Sequence, residues 1–179
     1  MNILTLQPDY NLQQYMETRA DVEFFYKEGE HYKFLTTVAK QFTNSVIYDL
    51  GTYTGTSAIA LSSEKSNRVI SYDIEYLTKP SRVTRPKNVE FRIGDVFNDI
   101  DNLLKSSLIF MDIDPHDGVF EHKLYKILTE NNYKGIMLLD DIHLNKNMQQ
   151  FWNSITHKKI DYTHLGHYSG TGMVVFGDA

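Results

Sequence analysis

The chain has 179 residues, a formal net charge of −5 and no cysteine. The length suits one domain with a sizeable core, and apolar and charged contents of 41% and 23% exclude a disordered chain. The negative charge argues against a nucleic-acid-binding protein, and the lack of cysteine excludes disulfides, thiol catalysis and Cys-ligated zinc.

The sequence carries no sign of a membrane or export segment. No stretch is apolar for long enough to span a bilayer, and residues 1–12 lack the basic start and apolar core of a signal peptide. The absence of cysteine suits a reducing compartment. We therefore expect one cytoplasmic domain, residues 1–179, with no membrane or nucleic acid partner.

Residues 1–44 are predicted to form an N-terminal helical region. Apolar spacing favours helices over residues 12–19 and 29–42, and the second helix has an apolar face. Such a face is typical of a helix that packs against a sheet. The residues on this face are Phe34, Leu35, Val38, Ala39 and Phe42.

Residues 46–57 are typical of a strand, a tight turn and the start of a helix. Gly51 and Gly55 are separated by three residues, and glycine allows both a sharp turn and the close approach of a ligand. A P-loop has four residues between its glycines and then Lys, and a dinucleotide fingerprint has Gly where this chain has Tyr53. A strand-to-helix turn that binds no ligand stays open as an alternative.

Strands and helices alternate through the rest of the chain. Long apolar strands bounded by helices are typical of a buried parallel sheet. Residues 75–87 contain two prolines and four basic residues, which favours a solvated loop. The further predicted strands are residues 68–73, 88–94, 107–112 and 135–140, the predicted helices are 97–105, 119–131 and 145–157, and residues 160–167 and 173–176 should form a terminal hairpin.

Each of the five leading strands has an acidic residue at or just after its carboxyl end. Open parallel sheets bind ligands along this edge, and clustered carboxylates need a positive charge among them. S-adenosylmethionine brings a sulfonium and an ammonium, whereas a dinucleotide brings an anionic pyrophosphate. The sequence therefore favours the first cofactor, or a metal. These residues are Asp49, Asp73, Asp95, Asp112 and Asp140, with Asp114 and Asp141 beside the last two.

Residues 49–57, Asp-Leu-Gly-Thr-Tyr-Thr-Gly-Thr-Ser, resemble motif I of class I S-adenosylmethionine-dependent methyltransferases, especially the catechol-type and caffeoyl-CoA-type O-methyltransferases. The likeness continues in order from about residue 29 to the terminal hairpin. It implies an α/β, Rossmann-like methyltransferase fold with a mostly parallel seven-stranded sheet and a C-terminal antiparallel hairpin. It also implies S-adenosylmethionine as the cofactor.

The resemblance implies cofactor roles at three strand ends. The motif I residues would surround the methionine part of the cofactor, with Asp49 facing its cationic end. Residues 72–75, Tyr-Asp-Ile-Glu, match the motif whose acid holds the ribose, and residues 93–96, Ile-Gly-Asp-Val, match the adenine-side motif. The implied cofactor-binding residues are Asp49, Gly51, Tyr53, Gly55, Ser57, Asp73 and Asp95.

The resemblance also implies a divalent metal. Residues 108–114 resemble the fourth-strand motif whose first Asp binds the metal, and residues 135–141 resemble the fifth-strand motif that supplies the remaining carboxylate. The implied ligands are Asp112, Asp140 and Asp141, and the alignment leaves open which of the last two binds. Oxygen ligands suit Mg²⁺.

The chain departs from this family at the position of the catalytic general base. Those enzymes have a Lys three residues after the metal Asp, and this chain has Pro115. The neighbouring sequence, Asp114-Pro-His116, resembles a broader group of small methyltransferases, so His116 is the candidate general base beside Asp112. A loop histidine with no role is the alternative. His143 is a second candidate, and His164 and His167 are expected to have surface or packing roles.

These features predict methyl transfer from S-adenosylmethionine to a hydroxyl of a small molecule, assisted by a divalent metal. Two alternatives stay open: a partner subunit that binds the cofactor without transfer activity, and an enzyme that binds NAD or a nucleotide sugar. An open sheet with exposed edge strands could also pair with a second copy, so a homodimer is an expected option.

Overall fold

The structure, a computed structural model, describes residues 6, 8–75 and 85–177, in which strands alternate with helices. Most of the predicted loop at residues 75–87 lies outside the described residues. The strands are β1 (Val46–Leu50), β2 (Arg68–Asp73), β3 (Val89–Ile93), β4 (Leu108–Met111), β5 (Ile136–Asp140), β6 (Lys158–Asp161) and β7 (Thr171–Val175). The helices are α1 (Arg19–Phe25), α2 (Tyr32–Ala39), α3 (Thr56–Leu61), α4 (Ile100–Leu103), α5 (Val119–Glu130) and α6 (Lys146–Ser154), with 3₁₀ helices at Tyr10–Tyr15 and Val96–Asp99.

The strands form one sheet in the order β3-β2-β1-β4-β5-β7-β6. Strands β1 to β5 pair in parallel, and β7 lies antiparallel to both β5 and β6. The predicted fold class is confirmed. The strand order reverses between β1 and β4, and in open α/β sheets the crevice at such a switch point is the usual ligand site.

Helices cover both faces of the sheet, as the apolar strands require. Alternation along β1 sends Ile47 to the face covered by α2 and α3, and sends Tyr48 and Leu50 to the face covered by α5 and α6. All three side chains are completely buried. Since side chains alternate, Asp49 shares the α2 face with Ile47 and meets that helical layer.

The N-terminal helical region differs in detail from its prediction. The helix expected at residues 12–19 is replaced by a short 3₁₀ helix and by α1, which begins at Arg19. Thr18 fixes this start, because its Oγ1 accepts a hydrogen bond from the Asp21 N–H while the Asp21 carboxylate accepts from the Thr18 N–H.

The terminal hairpin is shorter than predicted. Strand β6 ends at Asp161, whose Oδ1 accepts a hydrogen bond from the Thr163 N–H at 2.9 Å and so begins a turn. The strand prediction is therefore wrong for residues 162–167, and residues 162–170 form a loop. Among the described residues no helix is long and apolar enough to cross a membrane.

Candidate functional site

Three of the strand-end acids point to one face of the sheet. Asp49 pairs with Phe110, and Phe110 pairs with Leu138, in the register of β1, β4 and β5. Asp112 and Asp140 lie two residues beyond Phe110 and Leu138, and side chains two apart share a face. The three carboxylates therefore meet beneath the start of α2, on either side of the switch point.

The chain's own backbone fills the space that Gly51 leaves open. Gly51 has φ +100°, and a Cβ there would lie 1.7 Å from the Asp112 carbonyl oxygen. Gly55, at φ +83°, precedes α3, and a Cβ there would lie 3.1 Å from the Phe91 ring. Residues 51–55 form the turn after β1, which we call the motif I turn. Glycine at both positions lets this turn pack against the end of β4 and against β3.

Asp73 connects the end of β2 to the motif I turn. Its Oδ2 accepts a hydrogen bond from the Tyr53 N–H at 3.1 Å, and its Oδ1 accepts from the Ile74 N–H at 2.8 Å. Tyr53 is exposed beside it. Asp95 is also exposed, and its Oδ1 accepts from the Phe97 N–H at 2.9 Å, which caps the 3₁₀ helix before α4.

Asp49 lies beneath the motif I turn with no exposed surface. The Ser71 hydroxyl donates a hydrogen bond of 2.6 Å to its Oδ2, and Ser57, also buried, lies nearby in the first turn of α3. Burial raises the pKa of the Asp49 carboxyl to about 7, although the Ser71 hydrogen bond opposes the shift. As the structure stands, Asp49 can act on a ligand only through the turn above it.

The three predicted metal ligands fall into two groups. Asp112 and Asp141 surround His116, and we call these three residues the His116 group. The His116 Nε2 lies 3.5 Å from Asp112 Oδ1, 3.3 Å from Asp141 Oδ2 and 3.5 Å from the Oδ1 of exposed Asp114. Burial, together with the charge of Asp140, raises the pKa of the Asp112 carboxyl to about 6.

Asp140 belongs to the second group, with His31 and His167, which we call the His31 group. Its Oδ2 lies 3.3 Å from the His31 Nδ1 and 3.2 Å from the His167 Nδ1. Burial opposes ionisation of Asp140, but the two imidazoles outweigh it and hold the pKa of this carboxyl below its usual range.

His167 is a site residue that sequence reasoning missed. Beyond Asp140, its Nδ1 lies 3.4 Å from Asp141 Oδ1 and 2.8 Å from the Ser169 hydroxyl. Burial lowers the pKa of His167, but the hydrogen bonds to Asp140 and Asp141 outweigh burial and raise it to about 10. His31 was missed as well, because it lies far from both residues in the chain and fits no motif.

The other histidine candidates lie outside these groups. The His143 Nε2 is 2.7 Å from the Asp161 Oδ2 at the end of β6. His164 is exposed in the loop that carries His167. Among the described residues, the groups of side chains that could hold a metal ion are the His31 group and the His116 group.

The chain matches no protein-family model and no curated protein. A caffeoyl-CoA O-methyltransferase-like protein from Staphylococcus aureus has a TM-score of 0.63 at 13% identity, covering 93% of this chain and 96% of that one. A methyltransferase from Geobacter sulfurreducens has a TM-score of 0.63 at 12% identity, covering 99% of this chain and 100% of that one. An SAH-bound methyltransferase from Podospora anserina has a TM-score of 0.58 at 16% identity, covering 95% of this chain and 83% of that one. The chain therefore has the fold of class I S-adenosylmethionine-dependent methyltransferases.

Proposed function

We propose that this protein transfers a methyl group from S-adenosylmethionine to a hydroxyl of a small molecule, with the help of a divalent metal ion. The observation that carries the proposal is the row of carboxylates at the switch-point edge of a methyltransferase fold. A sulfonium and an ammonium suit this row, whereas the pyrophosphate of NAD would face it with like charge.

The cofactor would lie over the motif I turn between β1 and β2. Asp73 would hold the ribose hydroxyls, since its side chain is partly exposed at the end of β2 and accepts a hydrogen bond from the Tyr53 N–H. The exposed ring of Tyr53 lies at the same rim. Asp49 would favour the cationic end of the cofactor from below the turn.

Asp112 and Asp141 of the His116 group would hold the metal, and His116 would lie beside it as the base. Asp112 Oδ1 and Asp141 Oδ2 lie 3.5 and 3.3 Å from the His116 Nε2, so two carboxylate oxygens face one point next to the imidazole. Oxygen donors of this kind fit a divalent ion of the magnesium or manganese type. Such an ion lowers the pKa of an acceptor hydroxyl.

His116 would take the proton of the acceptor hydroxyl. When bound, S-adenosylmethionine would supply the methyl group: the acceptor oxygen would bond to the methyl carbon while the electron pair of the breaking carbon–sulfur bond goes to sulfur. Asp112 and Asp141 would stabilise the imidazolium that forms, while the Asn145 amide donates a hydrogen bond of 2.8 Å to the His116 carbonyl and holds the loop. Catalysis of this kind is mostly positioning of the two reactants.

Isothermal titration calorimetry of the full chain with S-adenosylmethionine and with NAD tests the proposal. We expect binding of the first and weak or no binding of the second. Asp73→Ala should weaken cofactor binding by about 10- to 100-fold, the usual cost of losing a hydrogen bond to a charged group. Asp101→Ala, an exposed acid on α4, is the matched control. Failure of S-adenosylmethionine to bind, or tighter binding of NAD, would reject the proposal.

A further inference from the structure

The His31 group brings together three segments that are far apart in the chain. His31 precedes α2, Asp140 ends β5, and His167 lies in the loop between β6 and β7. His31 and Asp140 are each 3% exposed, so both side chains are buried. Their convergence depends on the tertiary fold alone.

The spacing of the donor atoms fits a bound metal ion. The two imidazole Nδ1 atoms lie 3.3 and 3.2 Å from one Asp140 oxygen, and one ligand atom from each residue lies within 4.8 Å of the others. Tetrahedral zinc with bonds of about 2.0–2.2 Å to nitrogen and oxygen separates its ligands by roughly 3.3–3.5 Å. The two nitrogen–oxygen separations are close to this value.

Several buried polar atoms of the group lack a hydrogen bond. Among the described residues, the His31 Nδ1 and Nε2 and the Asp140 Oδ1 have no hydrogen-bond partner. Leaving such atoms unpaired costs about 1–3 kcal/mol each. The His31 ring is held in place by packing, with the Tyr32 and Phe110 ring centroids 4.6 and 5.1 Å away. A cation beside the His31 Nδ1 would engage a buried nitrogen that has no hydrogen-bond partner, next to the Asp140 Oδ2 at 3.3 Å.

A second carboxylate lies on the far side of the His167 ring. Glu30 Oε2 is 3.8 Å from the His167 Nε2, while the Nδ1 of the same ring faces Asp140. The separation is longer than a direct hydrogen bond, but a carboxylate that faces the other ring nitrogen is a common partner of a metal-binding histidine, because it helps to fix the ring and raises its basicity. Glu30 is itself 7% exposed, so this partner is also buried.

We propose that His31, Asp140 and His167 bind Zn²⁺ or a similar transition-metal ion. Two imidazoles and one carboxylate suit such an ion and suit Mg²⁺ poorly, which separates this site from the one proposed at the His116 group. Three protein ligands leave a fourth position open, and His167 is the ligand that is partly exposed to solvent. The ion would join the N-terminal helical region to the sheet. The inference does not depend on methyl transfer.

Zinc titration of the metal-stripped full chain tests this site. Calorimetry should show a Zn²⁺ site that His31→Gln and His167→Asn each weaken by more than about 100-fold, since loss of an outer partner alone costs 10- to 100-fold. His164→Asn, in the same loop as His167, should bind Zn²⁺ like the parent chain. His116→Asn should also keep the site, which separates it from the His116 group.

Thermal unfolding gives a second measurement that needs no activity. A hundredfold excess of Zn²⁺ over its dissociation constant should raise the unfolding midpoint by roughly 5 to 10 °C, and His167→Asn should lose this shift. Midpoints without metal show whether each variant is folded. Absence of Zn²⁺ binding by the parent chain, or unchanged binding by both His31→Gln and His167→Asn, would overturn the inference. Loss of S-adenosylmethionine binding with zinc binding intact would instead reject only the proposed function.

Discussion

At the scale of single residues, Gly51 has a role that its motif does not reveal. A Cβ at this position would lie 1.7 Å from the carbonyl oxygen of Asp112 and 2.8 Å from its carbonyl carbon, and neither atom can move without shifting β4. The motif I turn and the β4 end, which carries Asp112, are therefore built against each other. The glycine is needed before any ligand arrives.

We expect Gly51→Ala to lower the free energy of unfolding by about 4 kcal/mol or more, a value typical of severe backbone and packing disruption. Urea denaturation measures it. Gly94→Ala is the matched control, because Gly94 also has a positive φ, +145°, but a Cβ added there would meet no atom within 4 Å. In that variant the free energy of unfolding should fall only by the cost of backbone strain, about 1–3 kcal/mol. Equal losses would show that the contact with Asp112 is unimportant.

Asp49 gives a prediction for pH. Its pKa is about 7 in the folded chain against 3.8 without burial, so the unfolded chain releases the proton first as pH rises. The buried carboxyl therefore lowers stability progressively between about pH 4 and pH 7. Asp49→Asn cannot ionise, and we expect it to be more stable than the parent chain by roughly 2–4 kcal/mol above pH 7. Urea denaturation at pH 4, 6 and 8 should show this difference shrinking as pH falls; a constant difference would contradict it.

His116 is the residue on which the proposed catalysis depends. If it accepts the hydroxyl proton, His116→Asn should lower the rate of S-adenosylhomocysteine formation with a hydroxylated acceptor by about 100-fold or more. Binding of S-adenosylmethionine should change little, because Asp73, the residue proposed to hold the ribose, lies on the other side of β1. His164→Asn, an exposed histidine outside both groups, is the control. An unchanged rate in His116→Asn would exclude it as the base.

At the scale of secondary-structure elements, Asp99 connects three strands to the 3₁₀ helix at Val96–Asp99, of which it is the last residue. Its Oδ2 accepts hydrogen bonds from the hydroxyls of Tyr48 and Tyr72 at 2.9 Å and from the Arg92 guanidinium at 2.8 Å. These donors come from β1, β2 and β3 in turn. Since β1 and β2 carry the motif I turn and Asp73, this carboxylate stabilises the half of the sheet proposed to bind the cofactor.

Asp99→Ala should lower the free energy of unfolding by about 2–3 kcal/mol, because three donors lose a charged acceptor. Chemical denaturation measures the change. Asp101→Ala removes an exposed acid two residues away, and its free energy of unfolding should stay within about 0.5 kcal/mol of that of the parent chain. Similar values for the two variants would show that the three donors find other partners.

The elements best predicted from sequence are those with strong apolar periodicity. The strand prediction at residues 68–73 matches β2, and those at 107–112 and 135–140 match β4 and β5 to within a residue or two at each end. The weaker predictions fail where side-chain hydrogen bonds set the boundary. Asp161 ends β6 by bonding the Thr163 N–H, which apolar spacing cannot show.

At the scale of the whole molecule, the sheet order decides which acids meet. The switch point between β1 and β4 places Asp49 and Asp112 in neighbouring strands, with Asp140 one strand further. Ions or ligands bound there would contact both halves of the sheet. The roles of these residues toward a cofactor, and the expected homodimer, stay predictions.

The sequence by itself determined the strand-helix order, the glycine turn and the row of acids at the strand ends, because these depend on local periodicity and on residues close together in the chain. Only the tertiary structure decided the partners of those acids. Asp140 and Asp141 are adjacent in sequence and both lie near His167, yet Asp140 also meets His31 and Asp141 also meets His116. Neighbouring residues at a strand end point in different directions, and packing of α2 and the β6–β7 loop determines what each one contacts.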